Sequence, residues 1–456
     1  MTTATTDTRM DLAALVARAR ELLALDSWSR ERLEDLQNER LRALLAHAVE
    51  HSPFYREQLG PDAVEAELAD LPTLPKQVLV EEHDRIVTDS RLRADDLRLF
   101  LAESDAGSSF AGGYRVFATS GSTGVPGLFV YAADEFAHWI AVGLARLARV
   151  GVTGETRLVA IGAPADVHIT RQLFAAFQAG RRDVPRLSAT TPLSEMTEAL
   201  DAYQPEAVIG YASVLALLAQ EQLEGRLSIR PRLAMATSEV LTDDTIARVD
   251  EAWGAPPLNV YAATEAPGIA MASFDRVGMH VCEESLVLEV VDDDNRPVPA
   301  GLPGTKVLLT NLANRAQPLI RYELSDSVVM ADGPDPSGRP FSRIERVDGR
   351  SDDILRFADT DGREVLVHPY RLRAPFSTLL DVRQYQIVHE SDGGLRIRIV
   401  PRPSAPRDLP GDVAAAITRE LEAAGVAEPA VHVDCVPQIE REPGHAAKLK
   451  LVISAR

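Results

Sequence analysis

Cysteine is nearly missing from this chain: two in 456 residues, Cys282 and Cys435, far apart in sequence. That excludes a disulfide framework and fits a reducing compartment. No apolar run approaches the 18 residues a membrane-spanning helix needs. The first residues, Met1 to Arg18, carry scattered Arg and Asp and no apolar stretch, so no signal peptide is read there and the expected location is the cytoplasm. Positive charge is in deficit, with 68 acidic against 48 basic residues and a formal net charge of -20. A protein built to grip phosphate backbones needs the opposite field, so nucleic acid is excluded as the main partner. Lysine is rarer still: Lys76, Lys306, Lys448 and Lys450 are all there is, which makes each placed lysine informative. Neither internal repeats nor low-complexity segments are visible.

What is present is ordinary globular text, 45% hydrophobic and 25% charged. General disorder is thereby excluded, and the length exceeds what one core fills, so a large and a small domain are expected. The first 70 residues read as helices, with Leu33, Leu36, Leu41, Leu44, Leu45 and Val49 near helical spacing until His51-Ser-Pro53 stops the pattern. From about Arg115 strand-like runs (157–161, 207–209, 232–235, 258–261) alternate with helical stretches, one opening at Thr191-Pro192. That alternation predicts an α/β layer structure. Residues 281–330 turn to antiparallel β text with turn clusters at Asp292–Asn295 and Pro299–Gly304. A loop at 332–340 and a charged segment, Asp348-Gly-Arg-Ser-Asp-Asp353, follow. Beyond lies a small α+β pattern: strands near 384–389 and 395–400, a helix over 412–424 and a strand at 430–436. The expected organisation is a large domain over 1–348, a hinge at 349–353 and a small domain over 354–456.

The sharpest local signal is Thr119-Ser-Gly-Ser-Thr-Gly-Val-Pro-Gly127, between strands at 115–118 and 128–131. Glycines and hydroxyls at this density offer close N–H groups and rotatable O–H donors, as a polyphosphate cradle needs. It lacks the Gly-Lys-Ser/Thr ending and following helix of a Walker loop. Taken alone, the segment reads equally as a polar hairpin. Ser120 and Ser122 have no His/Asp constellation to make them nucleophiles, and His280 with Cys282 falls short of the three or four ligands a zinc site wants.

The nonapeptide resembles the phosphate-binding loop of the adenylate-forming superfamily (acyl-CoA synthetases and adenylation domains), in particular its phenylacetate–CoA ligase branch. The likeness recurs in order along the chain. His51-Ser-Pro-Phe-Tyr-Arg56 is similar to that branch's N-terminal signature, and Ala236-Thr-Ser-Glu239 to its adenine-side segment. Tyr261-Ala-Ala-Thr-Glu265 resembles the Tyr-Gly-x-Thr/Ser-Glu motif, and Pro318-Leu-Ile-Arg-Tyr-Glu-Leu-Ser-Asp326 the ribose-binding one. Gly349-Arg-Ser-Asp-Asp353 resembles the hinge, and Gly444-His-Ala-Ala-Lys448 the C-terminal lysine motif.

The resemblance implies a large α/β domain, of βαβ layers plus a β-rich subdomain, carrying a small mobile α+β lid. It implies ATP and Mg²⁺ as cofactors and a carboxylic acid, of aryl type, as substrate, activated to an acyl-adenylate with pyrophosphate release. By the same resemblance Thr119, Ser120, Gly121, Ser122, Thr123 and Gly124 would hold phosphates, with Ser238 and Glu239 on the adenine side. Tyr261 would offer the adenine a ring face, Thr264 would donate to a phosphate, and Glu265 would hold the metal. Asp326 would accept the ribose hydroxyls, and Arg350 would reach ribose or phosphate. Asp352 would be the hinge. Lys448 would bring an ammonium to the α-phosphate, with Lys450 the alternative, pointing the same way if 448–453 is a strand. His168, Phe174, Tyr211 and Ala236 match regions lining the acid pocket. The acyl acceptor implied is CoA, with an amine or carrier protein as alternatives, nitrite activation as a minor one, and a catalytically silent binding homologue as a different class of answer.

Two departures stand out. Gly127 occupies the position often held by lysine in the wider superfamily. After the hinge, Glu364 stands where the branch has glycine, and Asp359-Thr-Asp-Gly362 looks inserted; both bear on the CoA step and leave adenylation intact.

Overall fold

The computed structural model describes residues 11–103, 108–119, 127–165, 167–350, 355–367, 369–377, 379, 381–441 and 449–454. Three helices open it, Leu12–Ala24, Arg30–His51 and Pro53–Leu59. The break between the last two is chemical: Pro53 cannot continue the helix, and Ser52 uses its hydroxyl to cap the next one at the Tyr55 N–H.

An antiparallel pair of β1 (Tyr114–Ala118) and β2 (Leu128–Ala132) follows, the two strands flanking the glycine- and hydroxyl-rich segment in sequence. Next come β3 (Leu158–Ile161), β4 (Ala207–Tyr211), β5 (Leu233–Thr237) and β6 (Leu258–Tyr261), paired in parallel with one another in that order. Every residue of β3, β4 and β5 is buried, because helices cover both faces, and so these strands read as continuous apolar runs. Antiparallel strands β7 (Ala270–Ala272) and β8 (Met279–Val281) extend the sheet. Strands β9 (Leu286–Val291), β10 (Lys306–Asn311) and β11 (Tyr322–Leu324) form a separate three-stranded sheet. Strands β12 (Asp326–Met330) and β13 (Arg343–Arg350) return to the large one, which reads β12-β13-β8-β7-β6-β5-β4-β3.

The remaining strands never join that sheet. The hairpin β14 (Leu355–Ala358) and β15 (Glu364–Val367) stands alone, with 359–362 as its exposed turn. Strands β16 (Val382–His389), β17 (Leu395–Pro401), β18 (Val431–Cys435) and β19 (Val452–Ser454) form a four-stranded sheet against the helix Leu409–Ala423. Their apolar core, from Leu355 to Val452, shares no residue with the cores of the preceding chain. Of the segment 448–453, Lys448 lies outside the described residues, and strand pairing among the described ones starts at Val452. Among the described residues no helix is long and apolar enough to cross a membrane.

Candidate active site

In an open α/β sheet the loops leaving the carboxyl ends of parallel strands converge on one edge, and ligands bind there. His168 follows β3, Ser213 follows β4, Ser238 and Glu239 follow β5, and Tyr261 ends β6; all of them border one cavity of about 1190 Å³. Its far side is formed by β11, the start of β12 and the end of β13, with Leu449 to Val452 closing it from the small lobe.

The wall formed by β6 and β12 is already wired. The Tyr261 hydroxyl donates to Asp326 Oδ2 at 2.7 Å. Asp326 faces Arg350 in the β12–β13 register, and the Arg350 guanidinium donates to Ser325 Oγ at 3.0 and 2.7 Å. Burial, and then the adjoining Asp326 charge, hold the Tyr261 phenol well above its ordinary range, so it serves as a donor. The segment leading to Asp326 is anchored from the amino-terminal signature: Tyr55 donates to the Pro318 carbonyl at 3.0 Å and accepts the Ile320 N–H at 3.3 Å. Residues more than 260 positions apart are thus joined at one hydroxyl.

Glu265 is buried beside this pair. Burial raises its pKa first and the Asp326 charge adds to that, while a backbone hydrogen bond, Arg350 and Lys76 pull the other way. Its backbone and that of Thr264 are fixed by two side chains that lie outside every motif. The Tyr131 hydroxyl donates to the Thr264 carbonyl at 2.6 Å, and Asn311 Nδ2 donates to the Glu265 carbonyl at 2.8 Å. Tyr322 hydrogen-bonds the Glu265 carboxylate. Tyr131 belongs to β2, the strand that follows the hydroxyl-rich segment in sequence, and this bond ties that strand to Thr264. Lys76, on the short helix Lys76–Glu81, also borders the cavity; its rarity was the one signal that could have found it.

The neck of the loop is closed by Thr119 and Gly127. Thr119 N–H donates to the Gly127 carbonyl, and Gly127 N–H to Thr119 Oγ1, both at 3.0 Å. A Cβ on Gly127 would lie 3.0 Å from the Phe129 ring and 3.4 Å from Thr119 Oγ1, which accounts for glycine where lysine is common in the wider superfamily. Ser120, Gly121, Ser122, Thr123 and Gly124 lie outside the described residues, as do Asp352 and Lys448. Lys450 is on the cavity wall, its carbonyl accepting from Gln386 Nε2 at 3.0 Å.

The expected acid pocket divides. His168 is on the wall, its Nδ1 2.8 Å from Thr170 Oγ1, and Thr170 is in turn hydrogen-bonded to Tyr211. Tyr211, Phe174 and Ala236 themselves belong to the apolar cores behind the wall, and Ala212, Ser213 and Ala216 border the cavity instead. Strand residues alternate faces, so a segment that reaches a pocket sends only part of its side chains there. Ser238 holds a left-handed backbone, φ 67°, uncommon outside glycine and the kind of strain that collects at functional sites. Glu239 does not open to the cavity alone: its carboxylate accepts the N–H groups of Ser213 (2.9 Å) and Leu449 (2.7 Å). His280 and Cys282 are occupied in the interior, the first by Asp335 at 2.7 Å, the second beside Arg146 with its thiol pushed up to about 11 by burial.

Residues 13–308 match the family described as AMP-binding enzyme. The phenylacetate-coenzyme A ligase of Thermus thermophilus is 28% identical over 384 residues, 81% of each chain. That of Escherichia coli is 26% identical over 352 residues, 73% of this chain and 74% of its own. Among solved structures, 2-hydroxyisobutyryl-CoA ligase in the postadenylation state with 2-HIB-AMP superposes with TM-score 0.75 at 21% identity, covering 94% of this chain and 91% of that one. The same ligase in the thioesterification state gives TM-score 0.59 over the same shares. With the motifs in order and the fold shared, the chain belongs to the family of AMP-binding, adenylate-forming enzymes, on its phenylacetate–CoA ligase-like branch.

Proposed function

We propose that this enzyme uses ATP to convert an aryl carboxylic acid to its acyl-adenylate and then passes the acyl group to CoA. The observation that carries the reading is the convergence of the Tyr261–Asp326 pair, buried Glu265 and the segment after Lys448 on one cavity at the strand ends. Asp326, a carboxylate with lone pairs to spare, would take the ribose hydroxyls while Tyr261 lays its ring along the adenine. The hydroxyls and N–H groups of 119–124 would hold the departing pyrophosphate. A carboxylate oxygen of the acid attacks the α-phosphorus in line, the new O–P bond forms, and the bond to the pyrophosphate oxygen breaks, its electron pair leaving with pyrophosphate. Lys448 would meet the charge that develops on the α-phosphate oxygens.

The residues fit Mg²⁺. A buried carboxylate whose ionisation is opposed by its surroundings gains when a cation arrives, and Mg²⁺ takes one or two carboxylates together with substrate phosphates. Glu265, with the Thr264 hydroxyl beside it, would hold the ion, which would neutralise phosphate charge when bound.

We further place the lobes as 1–348 and 354–456, turning about 349–353. Separate sheets and cores support that division. Gly349, at φ 120°, is a residue whose backbone only glycine adopts readily. The better superposition on a postadenylation state than on a thioesterification state supports an arrangement of the lobes for the first half-reaction. Such rotation between half-reactions is the work of element-terminal hinges. Pyrophosphate release from Mg·ATP over a panel of aryl acids, followed by thioester formation when CoA is added, tests the whole reading. No release with any acid overturns it; release with adenylate hydrolysis unaffected by CoA overturns the acceptor alone.

A further inference from the structure

We propose that Glu239 is a positioning residue that fastens the lysine-bearing tail during adenylation and must let go of it for acyl transfer. The proposal rests on the reading of Lys448 as the adenylation lysine.

The two carboxylate oxygens serve different lobes. Oε2 accepts the Ser213 N–H at 2.9 Å, which ties the side chain to the end of β4. Oε1 accepts the Leu449 N–H at 2.7 Å and lies 3.6 Å from Arg441 Nη1. Arg441 and Leu449, which flank Lys448 in sequence, both meet this one oxygen. The Glu239 side chain is 6% exposed and that of Arg441 17%, so water competes poorly for these bonds. Glu239 also follows Ser238, whose left-handed backbone fixes the course of the chain as it leaves β5.

Other contacts between the lobes dock the body of the small one. Arg248 donates to the carbonyls of Arg383 (2.7 Å) and Val382 (3.1 Å), and Arg383 pairs with Glu221 at 3.0 Å. These hold β16 and none of them touches the tail. A rotation that removes Lys448 from the α-phosphate must break the Leu449 bond. A carboxylate is suited to this, because it makes a strong charge-assisted bond in one state and is well hydrated in the other.

The test uses the full-length enzyme with E239A, E239Q, E221Q and K448A. Amide hydrogen exchange of the ligand-free proteins is followed over 441–454, with ATP–pyrophosphate exchange measured on whichever acid the screen above returns. Loss of the carboxylate in E239A should speed exchange at Leu449 by about tenfold or more, with a smaller change in E239Q, which keeps one acceptor oxygen, and none in E221Q. E239A should lower the adenylation kcat by about tenfold, with E239Q losing less, and thioester formation from preformed adenylate and CoA should fall by a clearly smaller factor than adenylation. Unchanged Leu449 protection in E239A, or equal loss of adenylation in E239A and E221Q, overturns the proposal. Inactive K448A with fully active E239A removes the latch and keeps the lysine; fully active K448A removes the underlying reading. Should no acid support pyrophosphate release, the functional reading falls, and Leu449 protection still decides whether Glu239 holds the tail.

Discussion

The two sides of the cavity are built by opposite rules. On the large lobe, Tyr261, Asp326 and Glu265 stand on strands or turns fixed from within by Tyr55, Tyr131, Asn311 and Tyr322, buried groups with each polar contact made to another part of the same lobe. The small lobe offers a tail whose last strand, β19, is three residues long and pairs on an outer edge, and whose described links to the large lobe include a carboxylate–amide bond. Packed apolar contacts and buried networks do not come apart and re-form on each turnover, whereas a few polar bonds at a wet boundary can. On the proposed function, groups that serve both half-reactions would lie on the first side, and the lysine that serves one would lie on the second.

The comparison breaks most visibly at the tail. Lys448→Ala should lower pyrophosphate release by about a hundredfold or more, the scale of losing one preorganised charge at a transition state, while ATP binding by titration stays close to unmodified. A matching loss in Lys450→Ala, with Lys448→Ala nearly normal, would transfer the role. On the rigid side the signature is reversed. Asp326→Ala removes the acceptor of the Tyr261 hydroxyl along with the proposed ribose contact, so KM for ATP should rise by about ten- to a hundredfold, as expected for a charged hydrogen bond. Initial-rate kinetics over a range of ATP would show this, and an unchanged KM would separate Asp326 from the nucleotide.

Tyr131→Phe is a finer probe of the same wall. It keeps the ring that packs against Phe117 and Phe136 and deletes the donor to the Thr264 carbonyl. The buried carbonyl is left without that bond, at a cost of about 1–3 kcal/mol in unfolding free energy, and adenylation should slow by about fivefold because Thr264 and Glu265 lose their common support. Denaturant melts and pyrophosphate release measure the two effects. A slower rate at unchanged stability would mean that the hydroxyl meets the nucleotide rather than the backbone.

Much of this plan was legible in the residues. The parallel strands were read within two residues of their ends because strands buried on both faces are apolar runs between turn signals, and the small lobe's strand–strand–helix–strand order was read for the same reason. Tyr261, Glu265, Asp326 and Arg350 were found by motif, and they do gather at one cavity. Tyr131 and Asn311 were not legible: each lies in text that reads as ordinary strand, and its importance comes from a partner 46 or more residues away; Tyr322 lay within the motif read for Asp326, which said nothing of its bond to Glu265. Tyr211, Phe174 and Ala236 were misplaced because a matched region identifies a segment and not which side chains of that segment face the cavity. Glu239 was expected on the adenine side by resemblance, but its tie to Leu449 exists only once two lobes meet.

The smallest expected effect concerns Glu265 and its sign is definite. Burial raises the carboxyl's pKa in the folded protein above its unfolded value of 4.5. Below that value both states hold the proton and ionisation has no influence on stability. As pH rises through the folded pKa the carboxyl must ionise in its buried place, and the stability conferred by the retained proton is lost. Glu265→Gln keeps the shape and cannot ionise, so the ligand-free variant should melt higher than the unmodified protein at pH 8 by about 2 °C or more, with the gap closing toward pH 4.5. Mg²⁺ with ATP should stabilise the unmodified protein and not the variant, since ligand that binds the native state alone raises its melting temperature. A variant that melts lower at pH 8 would show that the carboxylate is held by compensating bonds rather than poised for a cation, which would place Glu265 among the structural residues of the rigid wall.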